Sequence, residues 1–302
     1  MRSALVFPAA FVTLIAAAGC ASIIGIPEAS IEWCQQSANN GHDFCEDFDH
    51  ADPFGAWASP PPPPGTTRGL APGESPPFAL DTVVGPLEAG ASAFTGLETS
   101  FSSQTFNDVK VHVDIRIAQT NFEAVDDVVT GAGLLLLADL SMAAAQPSLC
   151  VGLGLLPSMT SETVELALFL VPNSSDCVTV NNLPGDAAAD AAADAATPST
   201  DDDAEAGSES ALPAYPQPHP VGAVYLGTWT HIALEVQRNA ADGSGTITFT
   251  ATPGPGGGGM VPIIPPNSLS AGVPELGIAT DVTGPSGAFE VLFDNVTVDF
   301  GG

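Results

Sequence analysis

Hydrophobic and polar residues alternate strictly over residues 109–117. Five apolar side chains fall on one face and four polar ones on the other, a period of two residues over nine positions. Such alternation is typical of a β-strand with one buried face. The polar face of this predicted strand carries His112 and Asp114.

A second alternation covers residues 230–238 and resumes at residues 246–252, after a turn rich in Asn, Asp and Gly. Two alternating segments joined by such a turn predict a β-hairpin. Its first strand places His231 and Glu235 on the polar face. We therefore take four side chains as candidate ligand-facing residues, with ordinary solvated positions on an outer sheet face as the alternative: His112, Asp114, His231 and Glu235.

Three further apolar segments complete the pattern. Residues 134–137 and 166–171 are apolar at nearly every position, which suits either central strands or a buried helix. In residues 289–300 the apolar phase changes near Asp294–Asn295, and this predicts a β-bulge there. The same pair is also a candidate half of a calcium site, although an Asn-stabilised bulge is the commoner meaning.

Composition agrees with many short strands and little helix. The 302 residues include 31 glycines and 28 prolines, which favour turns. The formal net charge of −30 would repel nucleic acid, so a nucleic-acid partner is excluded. Acidic residues in an alanine background, without an apolar stripe, predict that residues 185–220 are a disordered insertion, with a calcium-binding acidic loop as the less favoured alternative.

The N-terminal residues 1–19 have the pattern of a cleavable signal peptide. Arg2 supplies the positive start, and the apolar run that follows is short for a membrane span. The residues 17–20, Ala-Ala-Gly-Cys, resemble the lipobox of bacterial lipoproteins. This resemblance implies that Cys20 carries a lipid and begins a tether over residues 20–43. An ordinary signal peptide is the alternative.

The cysteine count supports lipidation of Cys20. Five cysteines in an exported chain leave one without a partner. The other four form two pairs that are close in sequence, and in an oxidising compartment both pairs are predicted to be disulfides, with four reduced cysteines as the alternative. The predicted disulfide cysteines are Cys34 with Cys45 and Cys150 with Cys177.

Three short motifs occur in the order expected for a known fold. They are Phe-Cys-Glu-Asp-Phe-Asp at residues 44–49, Gly-Thr-Trp-Thr-His-Ile at 227–232 and Phe-Asp-Asn-Val-Thr-Val at 293–298. Together they resemble the concanavalin A-like (laminin G-like) jelly roll found in uncharacterised bacterial lipoproteins. The resemblance covers residues 44–300 and implies an all-β sandwich of two antiparallel sheets. It also implies that the first and last strands are neighbours, and that Trp57 and Trp229 are core or framework residues.

This fold hosts lectins, glycoside hydrolases and structural modules, so the resemblance does not fix an activity. The carboxylate motifs common in glycosidases of this class are absent, as are the serine and zinc hydrolase motifs. We therefore expect a non-enzymatic, membrane-anchored cell-envelope module that requires no cofactor, with calcium as the one weak candidate. Glycan binding is the alternative function, and glycoside hydrolysis is less favoured. Ala21 follows Cys20, and the resemblance to lipoprotein sorting signals favours the outer membrane.

Overall fold

The structure is a computed structural model that describes residues 32–89, 91–101, 107–120, 132–140, 149–156, 162–172, 219–242, 244–254, 258–263 and 273–301. Within these ranges the only helix is a single 3-10 turn at Trp33–Gln35. The strands are β1 (Phe44–Glu46), β2 (Thr66–Ala71), β3 (Ala79–Val84), β4 (Ser92–Ser100), β5 (Asp108–Gln119), β6 (Ala132–Leu140), β7 (Leu149–Leu156), β8 (Thr163–Pro172), β9 (His219–Tyr225), β10 (Trp229–Arg238), β11 (Gly245–Thr252), β12 (Gly258–Ile263), β13 (Val273–Thr283) and β14 (Phe289–Gly301). The all-β prediction is confirmed.

The strands form two antiparallel sheets. The eight-stranded sheet has the order β12-β11-β10-β5-β14-β3-β2, with β1 paired to the end of β14. The six-stranded sheet has the order β4-β13-β6-β7-β8-β9. The first and last strands are neighbours, as the jelly-roll resemblance implies, and the predicted fold class is confirmed.

The apolar faces of the two sheets share one core. In β5 and β10 the alternating residues Val111, Val113, Ile232 and Leu234 are at most 1% exposed, which confirms both predicted strands and the hairpin of β10 with β11. Residues 134–137 lie in β6 and residues 166–171 in β8, so the helix alternative is wrong for both runs.

The predicted bulge in β14 is present. Asp294 lies opposite Asp114 of β5, and Thr297 lies opposite His112, so three steps along β14 match two steps along β5. Asn295 has a positive φ of 50°, a conformation that Asn tolerates better than most residues. One extra residue therefore returns Val296 and Val298 to the core side.

A disulfide joins Cys34 to Cys45 in β1, as predicted. The backbone N–H of Cys34 also donates to Asp47, at 2.9 Å, so the chain from residue 32 is held against the sandwich. Of the second predicted pair, Cys150 lies in β7 and Cys177 lies outside the described residues. The signal peptide and Cys20 also lie outside the described residues, so the lipid and the tether of residues 20–43 stay predictions.

Removing the disulfide is expected to destabilise the domain. In the double variant Cys34→Ala/Cys45→Ala the unfolded chain is no longer closed over the 11-residue separation, and loop-closure entropy predicts a loss of about 3 kcal/mol. Chemical denaturation monitored by tryptophan fluorescence measures this loss. An unchanged denaturation midpoint would show that the bond does not contribute to stability.

The acidic insertion lies mostly outside the described residues. Its predicted end needs correction, because His219 and Pro220 already belong to β9, which pairs with β8. Residues 185–218 lie outside the described residues. Among the described residues, no helix is long and apolar enough to cross a membrane.

Candidate functional site

The candidate residues lie on the outer face of the eight-stranded sheet, the face turned away from the core. Alternation in β5 and β10 turns their valine, isoleucine and leucine residues inward, and this directs His112, Asp114, His231 and Glu235 outward. Antiparallel pairing sets His231 of β10 directly opposite Asp114 of β5. Directly opposite residues are the closest cross-strand neighbours in a sheet, so these two side chains can interact.

Three of the four candidates join one hydrogen-bonded group. His231 Nδ1 lies 2.9 Å from Asp114 Oδ1, and His112 Nδ1 lies 3.3 Å from His231 Nε2. The bulge in β14 adds Asn295, whose Nδ2 donates to Asp114 Oδ2 at 2.7 Å. We call these four residues, His112, His231, Asp114 and Asn295, the His–Asp group.

The two histidines of this group titrate differently. The hydrogen bond to Asp114 raises the pKa of His231, because the carboxylate favours the imidazolium form. Burial lowers the pKa of His112, and the neighbouring His231 lowers it further. When the pair takes up a proton, the proton therefore goes first to His231.

Glu235 belongs to a second cluster farther along the sheet. Its carboxylate accepts a hydrogen bond from Gln237 Nε2 at 2.9 Å and lies 3.1 Å from Lys110 Nζ. The Gln237 hydrogen bond and Lys110 lower the pKa of Glu235. Lys110 also lies 3.8 Å from Asp108. The structure thus separates Glu235 from the other three candidates.

Trp229 lies on the same outer face, on the opposite side of the His–Asp group from Glu235. It is half-buried, it lies opposite Arg116 of β5, and the guanidinium carbon of Arg116 is 5.7 Å from its ring centroid. Trp57 is a core residue, 7% exposed, whereas Trp229 is only partly buried on the outer face, so of the two predicted roles, core or framework, the core role is wrong for Trp229. The sequence did contain the signal, because Trp229 is out of phase with the inward residues Ile232 and Leu234.

Asp294 lies at the bulge in β14, and its carboxylate is fully buried. It accepts hydrogen bonds from the backbone N–H groups of Ser75 and Asn295, at 2.9 and 2.8 Å. Burial raises its pKa from 3.8 to about 7. Ser75 Oγ also donates to Asn295 Oδ1 at 2.7 Å. The oxygens that a calcium ion would need already accept hydrogen bonds, so this pair fits a bulge and does not fit half of a calcium site.

One group of three potential metal ligands comes together in the described part of the chain. One ligand atom each of Glu46, Asp47 and His50 lie within 4.8 Å of one another. Their carboxylates are already engaged, because Glu46 accepts hydrogen bonds from Phe48 N and Trp57 Nε1 and Asp47 accepts one from Cys34 N. These contacts attach the N-terminal segment to the core.

The fold defines a β-sandwich protein. No protein-family model and no curated protein sequence matches the chain. A cellulose-induced protein has a similar structure, at 14% identity over 85% of this chain and 96% of that one, with a TM-score of 0.46. An endo-1,3-beta-glucanase from Streptomyces sioyaensis is 10% identical over 86% and 96%, with a TM-score of 0.38. The galactose-complexed lectin UEA-II is 8% identical over 86% and 100%, with a TM-score of 0.34.

Proposed function

We propose that this protein is a lipid-anchored module of the cell envelope that binds a glycan on the outer face of its eight-stranded sheet and does not cleave it. The observation that carries the proposal is the composition of that face. Around the His–Asp group it presents Trp229 beside Arg116, and the side chains of Thr248 and Thr250 reach solvent on β11. Sugars are bound by such a combination, in which hydroxyl groups meet fixed polar partners and an aromatic ring supplies apolar contact.

The two candidate carboxylates, Asp114 and Glu235, do not have the spacing of a glycosidase pair. Asp114 and Glu235 lie on neighbouring strands, and the residues opposite them, His231 and Lys110, place them four positions apart along the sheet. That is about 13 Å along the strands, against about 5–9.5 Å between the two carboxyl groups of a glycosidase. A general acid also needs a raised pKa, and that of Glu235 is lowered. Hydrolysis of a polysaccharide panel, abolished by Glu235→Gln or Asp114→Asn, would contradict the non-enzymatic role.

Glycan binding is tested on a glycan array with the full chain. Trp229→Ala removes the half-buried ring on the proposed face and is expected to weaken binding by about tenfold or more, because an aromatic contact contributes roughly 1 kcal/mol beyond its buried area. Tyr225→Ala is the matched control, because Tyr225 is an exposed aromatic residue of β9 in the six-stranded sheet. Equal losses in both variants, or no glycan bound by the unaltered chain, would overturn the proposal.

Anchoring is supported by the sequence of the N-terminal residues and is tested separately. Mass spectrometry of the N-terminal peptide from the native membrane should give a mass that begins at Cys20 and includes acyl chains. Acylation with two or three chains would hold the protein firmly, since each buried CH₂ contributes about 0.8 kcal/mol. Fractionation of the envelope is expected to find the protein in the outer membrane. An unmodified Cys20, or cleavage at another position, would contradict the proposed lipid anchor.

A further inference from the structure

Two ring nitrogens face each other at the centre of the outer face. His112 Nδ1 and His231 Nε2 are 3.3 Å apart, while the centroids of the two rings are 5.4 Å apart and the planes are inclined by 25°. The nitrogens therefore lie between the two centroids, and the rings meet edge to edge. At 3.3 Å the contact is a long N···N hydrogen bond whose direction depends on which ring carries the hydrogen, and the same separation also suits two nitrogens that share one ion.

The neighbours of His231 determine which of its nitrogens carries hydrogen. Asp114 Oδ1 lies 2.9 Å from His231 Nδ1, so Nδ1 carries the hydrogen and donates it to the carboxylate. In neutral His231 the lone pair is then on Nε2, the atom that faces His112. Asn295 holds the other oxygen of Asp114 at 2.7 Å, and this keeps the carboxylate in place. A carboxylate behind a histidine is the usual arrangement of a metal-ligating imidazole.

The nitrogen separation fits the geometry of a metal ion. Two imidazole nitrogens bound to one tetrahedral Zn²⁺ at 2.0–2.1 Å lie about 3.3 Å apart. From this match we propose that His112 Nδ1 and His231 Nε2 together bind a divalent transition metal ion such as Zn²⁺, with water in the remaining positions. This site lies at the centre of the face proposed to bind glycan, but neither proposal requires the other.

The pair is open to solvent, and one carboxylate lies near it. The His231 side chain is 49% exposed and that of Asp114 is 15% exposed, so an ion can enter from solvent. Asp299 of β14 lies diagonally from His112 in the register of the two strands and pairs with His42 at 2.9 Å. Imidazole ligands prefer ions such as Zn²⁺, Ni²⁺ and Cu²⁺ over Ca²⁺ and Mg²⁺. Excess Mg²⁺ in the buffer can therefore fill carboxylate sites without displacing Zn²⁺ from the two histidines.

Calorimetric titration of the full chain with Zn²⁺, in excess Mg²⁺ to occupy weak carboxylate sites, tests the proposal. We expect one Zn²⁺ per chain with a heat that His112→Ala and His231→Ala each abolish. The matched controls are His219→Ala, which alters an exposed histidine at the start of β9, and His50→Ala, which alters the Glu46–Asp47–His50 cluster. Both controls should keep the heat.

The variant Asp114→Asn keeps both histidines in place and changes only which nitrogen of His231 carries hydrogen. The amide nitrogen of Asn would donate to His231 Nδ1, so the ring would carry its hydrogen on Nε2 and lose the lone pair facing His112. We expect Zn²⁺ affinity to fall about 10–100-fold, with the change of tautomer visible in the ¹⁵N spectrum of the imidazole.

A measurement on the unaltered chain covers the case in which a variant does not fold. Paramagnetic Ni²⁺ should broaden the ring signals of His112 and His231 before those of His42, His50 and His219. Broadening that begins at another histidine, or Zn²⁺ heat that survives in His112→Ala and His231→Ala, would overturn the proposal. So would the absence of any Zn²⁺ heat in the unaltered chain.

Discussion

The free energy of unfolding is expected to fall as the pH rises from about 4 to about 7, because burial raises the pKa of the Asp294 carboxyl from 3.8 to about 7. In this interval the folded protein keeps a proton that the unfolded chain has released, so raising the pH favours unfolding. The stabilisation from protonated Asp294 is fully present below the pKa that this carboxyl has in the unfolded chain. It is lost as the pH rises through the pKa that the carboxyl has in the folded protein. A shift of roughly three units corresponds to about 4 kcal/mol at most.

Glu46 acts in the same direction, since burial raises its pKa from 4.5 to about 6. Chemical denaturation at a series of pH values measures how the free energy of unfolding changes with pH through both carboxyls. The variant Asp294→Asn removes the larger of the two contributions. This variant loses one acceptor for Ser75 or Asn295, yet its stability should depend less on pH than that of the unaltered chain. Asp242→Asn, at a fully exposed turn residue, should keep the negative slope. An identical slope with and without the Asp294 carboxyl would contradict the assignment.

Phe293→Ala is expected to remove about 3–5 kcal/mol of stability, the range for deleting a buried phenylalanine from a packed core. Phe293 is fully buried at the centre of β14, opposite Leu80 of β3 and Ile115 of β5, which are also almost fully buried. The cavity left by the ring would be lined by strands that cannot close in without breaking their ladder hydrogen bonds. Denaturant unfolding followed by circular dichroism gives the change in free energy.

The same deletion at the surface is the control. Phe78, just before β3, is 43% exposed, and Phe78→Ala should cost about 1 kcal/mol or less. Comparable losses for Phe78→Ala and Phe293→Ala would mean that the shared core of the two sheets is not where the structure places it.

The strands and the directions of their side chains could be predicted from the sequence because alternation is a local signal. Val111, Val113 and Ile115 turn inward, so His112 and Asp114 must turn outward whatever lies beside them. The phase change at Asp294–Asn295 predicted the bulge for the same reason. Where a run is apolar throughout, as at residues 166–171 of β8, alternation is lost and the sequence could not distinguish a strand from a helix.

The contacts of the site depend on which strands become neighbours, and no local pattern carries that information. Asp114 meets His231 across 117 residues and Asn295 across 181 residues. Ser75 reaches Asp294 across 219 residues, and nothing near Ser75 in the sequence signals this. The sequence grouped Glu235 with the other candidates, and only the register of β5 with β10 places it beside Lys110 instead.

The proposal that a glycan binds on the outer face of the eight-stranded sheet is tested most directly by locating the bound glycan on the two sheets. The full chain, titrated with the best glycan from the array, would be followed by amide chemical shifts. Binding on the outer face should move the signals of β5 and β10 around Asp114, Trp229 and His231 and leave those of β7 and β8 unchanged. Shifts confined to the six-stranded sheet, or no shifts with any glycan, would contradict it.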